Sequence, residues 1–111
     1  MGVQWREIIS GVTLNAAPSL LFTTPDLTYE SIQQATVFNP TGSPVVFTLY
    51  KVTFPLGVGD STLICRRTIP AGQCVQANEA INHKLEPGTA LHASGAAPTF
   101  NVSGVEYVSG T

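Results

Sequence analysis

The chain is short of charge. Only 11% of its 111 residues are Asp, Glu, Lys or Arg, less than half the share of roughly a quarter found in ordinary globular domains. Five basic residues stand against seven acidic ones, for a formal net charge of −2. The basic footprint by which nucleic-acid binders displace phosphate counterions is therefore missing. Arg66–Arg67 is the one basic pair, and adjacent residues of a strand point to opposite faces. No apolar run approaches the ~18 residues of a membrane-spanning helix. The opening MGVQWREII lacks the basic-then-apolar order of a signal peptide. We expect a protein made in a cytoplasm, with neither nucleic acid nor membrane as a partner.

Cysteine and histidine are scarce too. Cys65 and Cys74 flank the turn Thr68–Gly72, so a cross-hairpin disulfide is conceivable. Cytosolic thiols stay reduced, however, and the expectation is two buried, unbridged thiols. His83 and His92 are the only histidines. A metal site takes three or four suitably spaced ligands, and the nearest acids, Glu79 and Glu86, do not complete such a set. There is no G-x-S-x-G elbow, no phosphate-binding glycine loop and no H-E-x-x-H helix motif. Asp26, Glu30, Asp60 and Glu79 are scattered along the chain. We expect no catalytic residue, no cofactor and no metal.

What the sequence has is strand. Ala35–Val52, ATVFNPTGSPVVFTLYKV, places two β-branched and aromatic runs around the polar loop Asn39–Pro44. That pattern reads as an antiparallel hairpin, which needs the rest of the chain to cover it. Further strands are expected over Glu7–Leu14, Ser19–Thr24, Thr62–Ile69, Gln73–Ala77, Thr89–Ala93 and Thr99–Val108. Tyr29–Gln34 reads as a loop leading into the hairpin, and Asn78–Asn82 is ambiguous. Pro/Gly-rich loops are expected at Phe54–Asp60 and Leu85–Gly88. In the last strand Phe100 and Val102 alternate; Gly104 then shifts the phase to Val105 and Tyr107, which suggests a β-bulge. About eight short strands with no helix predict an all-β fold, an antiparallel β-sandwich or jelly roll. Its length gives one domain, with residues 1–7 as an N-terminal arm and 8–111 as the sandwich.

Two surface features follow. Sheet edges are pairing templates unless blocked, and a C2 dimer closes such a surface with one self-complementary patch, so a homodimer is expected. The lone Trp, Trp5, suits a partly wet contact. Trp5, Tyr29, Tyr50 and Tyr107 could also stack sugars, although single aromatics in sandwiches usually belong to the core.

Arg66–Val108, together with the Ala35–Val52 segment, resembles small β-sandwich proteins of tailed-phage structural modules. The shared features are that segment, the Ile69–Gly72 turn, the Leu85–Gly88 turn and the final Val102–Glu106 strand, VSGVE. The nearest likeness is to the jelly-roll staple, or decoration, proteins of epsilon15-like short-tailed phages. The resemblance implies a cement role: homodimers on the outer face of a virion, bound to a major capsid protein of the HK97 fold. A phage tail or head-fibre glycan-binding module is the alternative. The candidate contact with a capsid partner is the arm, Val3, Gln4, Trp5 and Arg6, because an unpatterned segment ahead of a sandwich can reach a neighbour.

Overall fold

The structure, a computed structural model, describes residues 2–53 and 56–108. Phe54 and Pro55 of the expected 54–60 loop lie outside the described residues, as do Met1 of the expected arm and residues 109–111. The described residues form nine strands: β1 (Gly2–Thr13), β2 (Ser19–Thr23), β3 (Thr28–Phe38), β4 (Val45–Val52), β5 (Leu63–Ile69), β6 (Cys74–Gln76), β7 (Lys84–Leu85), β8 (Ala90–Ser94) and β9 (Thr99–Val108). Single 3-10 turns cover Asp60–Thr62 and Asn78–Ala80.

Two antiparallel sheets make the sandwich. One runs β1-β9-β3-β6, with β7 also on β3; the other runs β2-β8-β4-β5. The pairs β4–β5, β3–β6, β2–β8 and β1–β9 nest like one long hairpin folded between β4 and β5. Alternate pairs fall in alternate sheets, so the hairpin is rolled up. This is the jelly-roll arrangement that the strand count predicts.

The rolling corrects the Ala35–Val52 hairpin. Its two runs are strands, but β3 and β4 lie in different sheets and do not pair. The loop between them crosses from sheet to sheet, held by the buried side chain of Asn39. Asn39 Nδ2 donates to the carbonyls of Ser43 at 2.7 Å, Ile69 at 2.9 Å and Pro70 at 3.3 Å. Its Oδ1 accepts from the Thr41 backbone N–H at 2.9 Å and from the Thr41 hydroxyl at 2.7 Å. A local pattern cannot distinguish a turn that returns a strand to its neighbour from one that carries it across the core.

Three more expectations change. Tyr29–Gln34 is strand, the first half of β3, with Glu30 and Ile32 buried. Residues 2–7 are not an arm but the start of β1, in register with β9 from Gly2↔Val108 to Glu7↔Ser103. Their weak apolar pattern reflects a strand that covers polar groups at its inner face. Cys65 is buried and Cys74 exposed, both as free thiols; they sit on strands of different sheets.

The core lies between the sheets. Ile8, Ile32, Ala35, Val37, Phe100 and Val102 from one meet Phe47, Leu49, Cys65, Ile69, Leu91 and Ala93 from the other. Phe47 and Phe100 join the layers, with ring centroids 4.9 Å apart and tilted by 52°, a favourable aromatic geometry. Arg67, which blurred the inward face of its strand, is half-buried at the sheet margin and pairs with Glu79 at 3.3 Å.

Gly104 does not shift the phase of β9. Phe100, Val102, Gly104 and Glu106 are all buried on one face. The irregularities are in the neighbours, between Glu7 and Ile9 on β1 and between Ile32 and Gln34 on β3. A side chain at Gly104 would meet the Ser31 carbonyl oxygen at 2.0 Å, so β3 can approach only because the position is glycine.

Candidate interaction face

Because the phase of β9 holds, Val105 and Tyr107 point away from the core. They meet Trp5 and Val3 across the β1–β9 ladder, in the pairs Trp5↔Val105 and Val3↔Tyr107. On the other side of β9, Tyr29 pairs with Tyr107 and Ser31 with Val105. The outer face of the first sheet therefore carries an apolar patch at this end. Trp5 is 84% exposed, Val3 68%, Tyr29 45% and Tyr107 40%. The tyrosine rings lie 6.4 Å apart at 42°.

Two shallow hollows flank Val3. One, of about 250 Å³, lies between Val3, Gln4, Trp5 and Val105. The other, of about 260 Å³, is lined by Val3, Tyr29, Val105 and Tyr107 together with Glu30, Ser31, Lys84 and Glu86. Further along the same face the exposed residues turn polar, with Glu7, Gln34, Ser103 and Asn101. Other exposed apolar residues, such as Leu20, Leu27, Val46 and Leu56, come from separate strands and loops, and scattered ones are normal for any protein.

The opposite face of the same strands is polar at this end. Glu106 accepts from Gln4 Nε2 and from Arg6 Nη1, each at 2.8 Å. The Arg6 guanidinium also lies over the Phe22 ring, 5.7 Å from its centroid, and so reaches the second sheet. Glu30 pairs with Glu106 across the ladder; its side chain is 0% exposed and its nearest cation is Arg6 at 4.0 Å. Burial first, then the neighbouring Glu106 carboxyl, pushes the Glu30 pKa up to about 7. Glu106 is held below the usual carboxylate range, chiefly by the Gln4 hydrogen bond.

The four residues expected to touch a partner thus divide. Val3 and Trp5 stand at the centre of the patch. Gln4 and Arg6 turn to the inner side and fasten β1 to Glu106, with Gln4 still at the rim of one hollow. Sequence reading set Tyr29 and Tyr107 with Trp5 only as sugar-stacking candidates, along with Tyr50, which lies on β4 of the other sheet; it missed Val105 and the gathering of these residues around Val3. The available signal was the Phe100–Val102 phase carried on through Gly104 to Glu106, which leaves the residues between them outside.

The remaining chemistry-bearing residues are dispersed. His92 pairs with Tyr50 on the second sheet. His83 lies before β7, and burial lowers its pKa. Cys65 donates to Glu79 at 3.5 Å, and burial pushes its thiol up to about 12. Among the described residues no group of three or more His, Cys, Asp or Glu is placed to hold a metal ion.

No family model and no curated protein matches this chain. Solved structures resemble it at low identity. One is from Bacillus endospore appendages, which form a family of disulfide-linked pili: the TM-score is 0.57 at 12% identity, over 97% of this chain and 89% of that one. Two are of infectious bursal disease virus, the Gx strain and the T13 viral particle. Their TM-scores are 0.41 and 0.42 at 14% and 11% identity; 99% and 98% of this chain are covered, but only 32% and 31% of theirs. This chain spans about a third of those viral proteins. The appendage likeness is one of fold, and the viral matches are too distant to add to it.

Proposed function

We propose that this protein is a non-enzymatic structural component of a virus particle: a capsid decoration, or staple, protein on the outer surface of a major capsid protein lattice. The observation that carries the reading is the patch around Trp5 and Val3. A large, nearly bare Trp beside Val3, Tyr29 and Tyr107, with Lys84 and Glu86 lining the hollow next to the tyrosines, has the anatomy of an aromatic-centred protein contact with polar groups beside it. The phage-module resemblance of the sequence supports the lattice as the partner. A staple that binds only the assembled lattice stabilises it by mass action. With so little charge on the chain, that binding depends weakly on salt.

The test is to add the protein to capsids that lack it, follow co-sedimentation, then heat the particles and record DNA release. Decorated capsids are expected to release DNA at a higher temperature, and Trp5→Ala is expected to lose both binding and protection. An unchanged release temperature on removing the whole protein defeats the proposal.

One observation favours a second reading. Trp5, Tyr29 and Tyr107 are exposed on the same face, as a glycan-binding module of a tail or head fibre would require. Trp5 is the only Trp, so sugar-dependent quenching of its fluorescence, without capsid binding, would select that reading. A disulfide-linked fibre, as in the appendage pili, is less well supported. Cys74 is the one exposed thiol, and one thiol per chain links copies only in pairs.

A further inference from the structure

We infer that the first half of β1 is the seam of a two-fold dimer, pairing antiparallel with the same segment of a second copy about an axis at Trp5. This stands apart from the nature of the capsid partner. β1 ends its sheet, and its far side has no strand beside it among the described residues. From Gly2 to Glu7 its ladder to β9 has no irregularity; the first shift comes between Glu7 and Ile9. The backbone groups of this run that point away from β9 have no strand to pair with among the described residues, the kind of edge that templates pairing. The other edges are less suitable. β6 has three residues, β2 has five with a register shift, and β5 carries Arg66 and Arg67.

Symmetry and alternation then fix the register. An antiparallel edge-to-edge pair has its two-fold axis perpendicular to the sheet, so the outer face of one copy continues as the outer face of the other. Outward residues must meet outward residues. Val3, Trp5 and Glu7 point out while Gln4 and Arg6 point in, so the axis passes through a residue and not between two. An axis at Arg6 would set one guanidinium opposite the other, which is unfavourable. An axis at Gln4 would carry Glu7 past the partner's Gly2. An axis at Trp5 pairs Trp5 with Trp5, Val3 with Glu7 and Gln4 with Arg6, with no like charges opposed. It also sets Trp5, the most exposed aromatic side chain among the described residues, beside its own symmetry mate on the outer face. The pairing is isologous, so it closes at two copies. It would bring the two apolar patches side by side on one continuous face, giving a bivalent binder able to bridge adjacent lattice subunits.

Light scattering of the intact chain is expected to give a dimer. Trp5→Lys places two ammonium groups at the axis and is expected to weaken the dimer at least about tenfold, with the thermal melt of each chain's fold retained because the side chain is exposed. Cross-linking reads the register. In a Cys74→Ser background, Trp5→Cys is expected to link to itself under mild oxidation or with a short bis-maleimide. Val3→Cys and Glu7→Cys are each expected to remain unlinked alone and to link when mixed. A monomer, an open-ended oligomer, a Trp5→Lys dimer as tight as the parent, or linkage of mixed Val3→Cys and Trp5→Cys in place of the expected pattern overturns the inference. A dimer that ignores capsids overturns the proposed function and leaves the seam intact; a monomer that binds them does the reverse.

Discussion

Glu30 and Glu106 are direct cross-strand partners inside the sandwich, two carboxyls served by one guanidinium, that of Arg6. Both oxygens of Glu30 are buried without a donor from another residue. A proton on one Glu30 oxygen can be donated to Glu106, its cross-strand neighbour, and leaves the other oxygen as an acceptor only. Burial is the first cause of the raised Glu30 pKa and the Gln4 hydrogen bond of the lowered Glu106 pKa; the contact between the two carboxyls adds to each shift.

The first prediction is a pH dependence. Glu30 has a folded pKa of about 7 against 4.5 for the free group. A raised folded value means that its contribution is fully present below 4.5 and is lost as pH rises from there through about 7. The loss is on the order of 3 kcal/mol. Glu106, held low, acts in the opposite sense, and its contribution is lost as pH falls through its depressed folded value. Glu30→Gln keeps the shape and a donor but cannot ionise. Its stability relative to the parent should rise between about pH 4.5 and pH 8, as measured by urea unfolding. An equal difference at both pH values would remove the shared proton from consideration.

The second concerns Gly104. Gly104→Ala forces a Cβ to within 2.0 Å of the Ser31 carbonyl oxygen, where nothing flexible can yield. A cost of roughly 2–4 kcal/mol is expected. Gly42→Ala, where an added Cβ meets nothing within 4 Å, is the control and should change stability little. Comparable melting temperatures for the two variants would contradict the close approach of β3 to β9.

The third concerns the loop that crosses between the sheets. Asn39→Ala leaves the Ser43, Ile69 and Pro70 carbonyls without their shared donor. We expect a loss of roughly 2–4 kcal/mol. Asn39→Asp, which aims a carboxylate at three carbonyls, should cost at least as much. Denaturant midpoints near that of the parent for both variants would show that the loop holds by other means.

The fourth separates the thiols. Under native conditions, alkylation without reductant should modify Cys74 promptly. Cys65 should resist until the chain unfolds, because it is buried and its thiol is pushed up to about 12. Mass spectrometry of a time course decides this, and equal rates at the two sites would overturn the buried placement.

The sequence by itself determined the class of fold and the placement of most strands. Period-two alternation of apolar side chains and the proline and glycine turns are local signals, and the bounds of β9 were legible for that reason, although its phase beyond Gly104 was not. The scarcity of charge was equally plain. Which strands pair was decided only by the tertiary structure. β3 and β4 look like a hairpin over any window of the chain, yet the rolled topology sets them in opposite sheets, with Asn39 buried at the crossing. The interaction face was decided there too. Val105 and Tyr107 could have pointed either way from Gly104, and Val3 and Trp5 read as a loose arm. They became one surface because bulges in β1 and β3, rather than in β9, absorb the extra residues beside Gly104. The core side chains Ile8, Ile32, Phe100 and Val102 set which side of these strands faces inward. A sequence window carries the alternation of a strand, but the face that is buried depends on what the neighbouring strands and the opposite sheet bring to it.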